Sequence, residues 1–315
     1  KVMEAGIVGL GGATFPSHVK LSIPEGKKVD TLIINGVECE PYLTSDHRVM
    51  LEKAEEMLVG IKILMKALDV DKALIGIENN KPDAINHLRS IISNYQGIEI
   101  HPLKVKYPQG GEKQLIKALI NREVPSGALP LNVGVVVHNV GTALAVYEAV
   151  QKNKPLFERV VTLTGKSVEK PSNYLVRIGT PISELIEAAG GLPEDTGKII
   201  GGGPMMGKAL NSVDIPVAKG TSGIFIVPEN ESKRVKEQDC IRCAKCVSVC
   251  PMGLEPYLLS KLTKLEKTEK LEDNAAMDCI ECGSCSYVCP AGIPLLDYIR
   301  LGKSRVSKII RERKK

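Results

Sequence analysis

Eight of the nine cysteines stand in two runs of identical spacing, C-x2-C-x2-C-x3-C-P: Cys240, Cys243, Cys246 and Cys250 before Pro251, and Cys279, Cys282, Cys285 and Cys289 before Pro290. Two-residue gaps let one tight loop visit three corners of a cuboidal cluster, each thiolate turning inward while backbone amides face the sulfurs. A segment of this kind is folded by what its thiolates hold and needs little apolar core of its own. The rest of the 315 residues must supply the packed core, and the length suggests about two domains.

The spacing is that of two-cluster ferredoxins, in which the fourth cysteine of each run ligates the other cluster. It predicts one [4Fe-4S] centre on Cys240, Cys243, Cys246 and Cys289 and a second on Cys279, Cys282, Cys285 and Cys250. Zinc and disulfides are the competing uses of such cysteines. Zinc favours paired C-x2-C with histidine available, and no histidine follows His138. Disulfides need an oxidising compartment, and the amino end lacks the charged segment, apolar core and cleavage site of a signal peptide. The stretch PYLLSKLTKLEKTEKLEDNAAMD between the runs has a helical pattern, so 229–315 reads as a helix-rich cluster domain entered through the polar linker NESKRVKEQD. The ninth cysteine, Cys39, lies between Glu38 and Glu40, whose charges raise a thiol's pKa, and reads as a packed small residue.

A chain that is 43% hydrophobic and 25% charged is globular rather than disordered. Its longest apolar stretch, from Val133, is interrupted by His138, Asn139 and Glu148, so any membrane role must come through a partner. With three Phe and no Trp there is little from which to build stacking platforms for nucleic acid. The net charge of +5 is mild and its excess is local. From Arg300 to Lys315 eight cations (Arg300, Lys303, Arg305, Lys308, Arg311, Arg313, Lys314 and Lys315) face the single acid Glu312. That segment reads as a solvated or frayed tail, with contact to an acidic partner or an anionic membrane surface as the lesser alternative.

Residues 1–155 alternate strand-like runs (TLIING, KALIGIEN, IEIHPLKVKYP, VGVVVHNV) with helical patterns (RVMLEKAEEMLVGIKILMKAL, KPDAINHLRSIISNY, and Glu112 to Asn121), which predicts an α/β layer on a largely parallel sheet. From Arg159 the texture changes. VVTLTGKSV and YLVRIG form a hairpin pattern, followed by the helix ISELIEAAGG and the strand GIFIVPE, so 156–228 reads as a small α+β domain. Ahead of all this, GIVGLGGATFPSHVK sets Gly6, Gly9, Gly11 and Gly12 before Phe15, Pro16 and Lys20. Bare backbone at this density can approach an anion or a planar ring, with Lys20 supplying positive charge. As a dinucleotide fingerprint it fails, because Thr14 takes the third glycine position and no strand precedes it. On these residues alone, a turn-forming glycine cluster remains an alternative.

Five segments, GLGGATFPSHVK, INGVECEPYLTSDHR, YPQGGEKQL, HNVGTALAVYEA and IIGGGPMMG, together with the two cysteine runs, resemble the C subunit of the Rnf electron-transport complex. That family is related to the flavin- and NADH-binding subunit of respiratory complex I, and the resemblance spans essentially the whole chain in order. It implies a multidomain α/β plus α+β protein: a Rossmann-like FMN/NAD(H)-binding domain over 1–155, a β-grasp (soluble-ligand-binding) domain over 156–228, and a helical two-cluster [4Fe-4S] ferredoxin domain with a basic C-terminal tail over 229–315. FMN and NADH contacts are implied at Gly9, Gly11, Gly12, Phe15, Lys20, Asn35, Glu38, Glu40, Tyr107, Gly110, Glu112, Asn139 and Thr142. Three positions depart from the complex I pattern, namely Leu10 for Arg, Val37 for Asp and Gly111 for Glu, and each removes a polar contact. The segment Gly201–Gly207 reads as packing and interface.

The implied activity is that of an NADH/ferredoxin oxidoreductase within a translocase: hydride exchange between NAD(H) and FMN, then single-electron relay through two clusters. The implied partners are other subunits of the complex, including a ferredoxin-like iron–sulfur subunit, and the implied location is peripheral, on the cytoplasmic face of the cell membrane. The family usually carries an additional amino-terminal barrel-like domain, and this sequence starts at Lys1 inside what reads as a running element, so an upstream segment is an expectation. Two other functions stay open: a microcompartment-type cobalamin reductase, and an electron-carrier or docking subunit whose nucleotide pocket is vestigial.

Overall fold

The computed structural model describes residues 1–313 and falls into two compact units, 1–124 with 129–232, and 125–128 with 233 onward. Lys314 and Lys315 of the basic segment lie outside the described residues.

In the first unit, β1 (Thr31–Asn35), β2 (Ala73–Glu78), β3 (Ile98–Leu103) and β4 (Val135–Asn139) form an all-parallel sheet in the order β3-β2-β1-β4. β1, β2 and β4 are continuous apolar runs, as strands covered on both faces must be. The helices are α1 (Ser17–Leu21), α2 (Ser45–Glu52), α3 (Ala54–Leu68), α4 (Pro82–Ile91), α5 (Glu112–Ile120) and α6 (Val140–Gln151). Ile34, Ile75 and Val136 on one face pack with Ile61 and Leu64 of α3 and Val146 of α6. On the other face Ile33, Val135 and Val137 meet Leu115 and Ile116 of α5.

The chain runs outward from β1 through β2 to β3 and then returns past β1 to β4, so the strand order reverses between β1 and β4. Asn35 and Asn139 end those two strands and stand opposite each other in register. The periodic stretch from Arg48 to Leu68, which reads as one helix, is two. Lys53 leaves helical geometry at φ −131° and ψ 31°, which frees α2 to serve a buried carboxylate while α3 packs on α6.

The second sheet of this unit contains β5 (Glu158–Gly165), β6 (Ser172–Arg177), β7 (Thr196–Gly201), β8 (Lys208–Ala209) and β9 (Gly223–Pro228) in the order β6-β5-β9-β7-β8, with α7 (Ile182–Ala188) packed on it. β5 and β6 form the expected antiparallel hairpin, and β9 runs parallel to β5. Both sheets belong to one compact unit, which ends with a helical turn, α8 (Glu229–Ser232). The polar stretch that reads as a linker is therefore divided: its first residues close the first unit and only those from Lys233 are exposed coil.

The second unit is helical: α9 (Lys245–Ser248), α10 (Pro256–Lys264), α11 (Thr268–Asp273), α12 (Ser284–Tyr287) and α13 (Leu295–Arg313). Here the expected frayed tail is overturned. α13 buries Ile299, Gly302 and Val306, packing Ile299 and Val306 with Leu259 of α10 and Leu271 of α11. Four of its cations are structural: Arg300 and Lys303 both hold Glu281, Arg313 pairs with Glu272 at 2.8 Å, and Arg305 donates to the Thr263 carbonyl at 3.0 Å. Among the described residues no helix is long and apolar enough to cross a membrane.

Candidate functional site

The carboxyl ends of β1 and β4 open a crevice where the strand order reverses, the place where open parallel sheets bind ligands. The glycine loop lies beside it. Gly9 N donates to Phe15 O at 2.9 Å, closing the loop, and Leu10 N donates to Thr142 Oγ1 at 3.0 Å, tying it to the first turn of α6. A Cβ on Gly11 would stand 2.8 Å from Asn139 Nδ2, whereas at Gly12 it would meet nothing within 4 Å. The loop thus presses bare backbone against the β4 end and leaves open space above it. Phe15 is half exposed, at 48%.

Around these strand ends the polar residues hold one another. Asn139 caps α6 by accepting from Gly141 N at 2.8 Å, and its Nδ2 donates to Asp46 Oδ2 at 2.6 Å. Asn35 Nδ2 donates to Gly110 O at 2.8 Å, and Lys20 Nζ reaches both Glu112 Oε1 at 2.7 Å and Val137 O at 3.0 Å. Two buried polar atoms in segments that frame the crevice, Ser17 Oγ and His138 Nε2, have no hydrogen-bond partner among the described residues. Burial, with the nearby charge of Lys20, pushes His138 down to about 3 and keeps it neutral. Bare backbone, half-buried polar groups and an open aromatic fit a flat, hydrogen-bonding, anionic ligand such as FMN.

The two glutamates of the Asn35–Pro41 segment stand apart from that group. Glu38 turns inward and accepts from Asp46 N at 2.8 Å, His47 N at 3.0 Å and Ser45 Oγ at 3.2 Å, so both of its oxygens serve the amino end of α2. Glu40 is clamped from the second sheet. Met206 N donates to Oε1 at 2.7 Å and Met205 N to Oε2 at 3.1 Å, and Tyr107 OH lies 3.4 Å from Oε1. A Cβ on Gly203 would sit 2.2 Å from Glu40 Oε2, so the clamp closes only over glycine. The Gly201–Gly207 loop is an interface between the two sheets, through backbone amides.

Burial, reinforced by the charge of Asp46, raises the Glu38 carboxyl from 4.5 to about 7, against the Asp46 and His47 amides that favour its ionised form. The folded chain therefore holds this proton more tightly than the unfolded one. The contribution is complete below about pH 4.5 and is lost as pH rises through about 7. Glu38→Gln should flatten that part of the stability curve, measured as urea midpoints across the interval; parallel curves for the two proteins would contradict it.

Arg159 escapes sequence reasoning altogether. Its buried guanidinium donates to the carbonyl of Leu10 at 3.3 Å and to that of Lys219, and burial lowers it to about 10 while the charge of Asp46 opposes the shift. Lys81, also buried, donates to Val37 O at 2.8 Å. The only signal for Arg159 is a lone cation in the apolar strand ERVVTLTG. Cys39 is partly buried, with Gly110 N 3.4 Å from its sulfur, and burial pushes the thiol up to about 11.

In the second unit, Cys250, Cys279, Cys282 and Cys285 line one cavity with Leu254, Leu259 and Ile299. It draws one thiol from the first run and three from the second. Burial, then the neighbouring Cys279 and Cys282, push the Cys285 thiol up to about 12, so its thiolate forms only against cationic charge. Cys246 and Cys289 are partly buried and close enough for the charge of Cys289 to bear on Cys246, whereas Cys240 and Cys243 are exposed. No three His, Cys, Asp or Glu side chains among the described residues are grouped to hold a single metal ion. Thiols spread around a cavity suit a cuboidal cluster better than one zinc, which needs its ligands about 2.3 Å from a single point. The loops also turn alike. Arg242 and Ala244, at φ 55° and 57°, match Glu281 and Gly283, at φ 58° and 81°, on either side of the second cysteine of each run.

Comparison with known proteins gives this architecture a class. Residues 2–148 match the family model of the Nuo51 FMN-binding domain, 160–209 that of the SLBB domain and 232–290 that of the 4Fe-4S dicluster domain. The chain is thus a flavin-binding module of the 51K type joined to an SLBB domain and a pair of [4Fe-4S] clusters. It is 50% identical, over 314 residues that span the whole chain and 70% of the relative, to the C subunit of the Na(+)-translocating ferredoxin:NAD(+) oxidoreductase complex of Acetobacterium woodii. The chain belongs to this family, the C subunits of the ion-translocating oxidoreductase complexes. The proton-translocating counterpart of Clostridium ljungdahlii is 51% identical over 261 residues, 83% of this chain and 57% of the relative. The C subunit of the ion-translocating oxidoreductase complex of Yersinia enterocolitica is 46% identical over 99% of this chain and 45% of its own length. The chain therefore spans about half the length of several curated relatives. An NAD+-reducing [NiFe]-hydrogenase in its H2-reduced state shares the fold, with a TM-score of 0.65 at 19% identity over 97% of this chain and 62% of that one.

Proposed function

We propose that this chain is the peripheral, NAD(H)-linked subunit of a membrane-bound, ion-translocating NAD:ferredoxin oxidoreductase, placed at the cytoplasmic face and joined there to an iron–sulfur partner subunit. The observation that carries the reading is the crevice between Asn35 and Asn139, roofed by the glycine loop, in a chain that also brings Cys250 to Cys279, Cys282 and Cys285. FMN supplies the exchange between a hydride and single electrons, which iron–sulfur clusters carry one at a time.

The chain's own residues prepare the site. Gly11 and Gly12 offer backbone to the ligand, Lys20 is held toward it by Glu112, and Asn35 and Asn139 fix the strand ends. Gly9, Thr142 and Gly110 set the loops around it, and Phe15 is left half open for a nucleotide ring. Glu38, Glu40 and Tyr107 contribute by holding α2 and the second sheet in place. Each run of cysteines lends its fourth thiolate to the other's cluster. The division into 1–155, 156–228 and 229–315 is the functional one, flavin, spacer and relay.

Anaerobic purification followed by flavin and iron quantitation, then NADH titration watched by absorbance and EPR, tests this. Bleaching of bound flavin and reduction of the clusters are expected. Protein with full flavin and iron that NADH leaves oxidised would sink the reading.

A further inference from the structure

The two cluster loops share a backbone turn but differ in what covers them. At Glu281 the chain closes the surface itself: Arg300 Nε and Lys303 Nζ reach its carboxylate at 2.9 and 2.8 Å, and Lys303 also donates to Cys279 O at 2.7 Å. At the matching position of the first loop the charge is reversed. Arg242 is exposed, as is Lys245 three residues on, and neither has an ion-pair partner among the described residues. Ile241, between Cys240 and Arg242, is 69% exposed, and Cys240 and Cys243 are exposed with it. The second loop, by contrast, buries Cys282 and Cys285.

We infer that the loop from Cys240 to Lys245 is the docking surface for an acidic electron-carrier protein, whose carboxylate meets Arg242 in the inverse of the contact that Arg300 and Lys303 make with Glu281. This rests on the proposed relay through the clusters. Complementary charge is what steers such brief encounters: it raises association rates by about 10 to 1,000-fold and is screened by salt. An apolar side chain and two thin-walled thiol positions at the centre of the basic loop give the carrier a short path to the cluster edge.

The test uses the reconstituted full chain and, as probe, a reduced, acidic two-cluster ferredoxin mixed with it by stopped flow at several salt concentrations. Arg242→Glu keeps a residue type that the same backbone turn already accepts at Glu281, and Lys245→Glu is an independent second variant. Each should lower the second-order rate of cluster reduction roughly tenfold at low salt and flatten its salt dependence. Iron content, cluster EPR and NADH-driven flavin reduction should not change. Lys308→Glu, the same charge reversal at an exposed position of α13, should leave the rate as it is. Loop variants indistinguishable from Lys308→Glu would overturn the inference. So would loop variants that weaken only sedimentation with anionic phosphatidylglycerol vesicles. If wild-type clusters accept electrons from neither NADH nor ferredoxin, the functional reading fails first; if they accept them and the loop variants are silent, only the docking surface falls.

Discussion

Cys250→Ser should cost the chain the cluster of the other cysteine run. Cys250 shares its cavity with Cys279, Cys282 and Cys285, so removing it leaves three thiols around a site they cannot close. Iron should fall from about eight to about four atoms per chain, the sum for two and for one [4Fe-4S] centres. The surviving EPR signal should be that of the cluster on Cys240, Cys243, Cys246 and Cys289. Stability of the helical unit should fall with it, because Leu254, Leu259 and Ile299 line the same cavity and pack against the liganded loop. Cys39→Ser, outside both runs, should keep all the iron. Loss of the Cys240 centre instead would show that each run serves its own cluster, and retention of both would show that neither cluster depends on Cys250.

A second large effect is expected at Asn139. Alanine there removes the cap that accepts from Gly141 N and the donor to Asp46 Oδ2. The lost cap is worth about 1 kcal/mol, and an Asp46 carboxylate deprived of its donor in a buried setting costs about 1–3 kcal/mol more. The glycine loop rests on this side chain through Gly11, so its position should relax as well. We expect flavin retained through anaerobic gel filtration to fall at least tenfold, equivalent to about 1.4 kcal/mol of binding, with iron unchanged. Flavin at wild-type occupancy in Asn139→Ala would place the ligand elsewhere.

The parallel layer was legible because β1, β2 and β4 are apolar runs; the hairpin was legible too, although Ser172 and Asn173, which read as its turn, pair with Leu163 and Thr162 as the start of β6. The glycine loop and both asparagines were found through resemblance; on spacing alone the loop was equally a turn. What could not be read were pairings between residues far apart in sequence. Arg159 reaches a carbonyl 149 positions away, and Met206 N reaches Glu40 across 166. No local pattern announces either contact. Glu38 and Glu40 look alike in INGVECEP, yet one caps a helix and the other receives the amides of a second sheet. The basic carboxyl segment misled for a different reason: its charges dominate any composition window, while Ile299 and Val306, on one helical stripe, carry the packing.

The clamp on Glu40 and the reach of Arg159 have an evolutionary consequence. Families of sequence draw a border between residues 148 and 160, but the guanidinium that steadies the glycine loop comes from Arg159, inside that border on the first strand of the second sheet, and the amides that donate to Glu40 come from Met205 and Met206, well beyond it. A recombination event that exchanged either module for a homologue would have to bring a matching cation and a matching glycine turn along with it. The two sheets are therefore expected to be inherited as a pair, and chimaeras joined near residue 155 should succeed only between parents that share both Arg159 and Gly203.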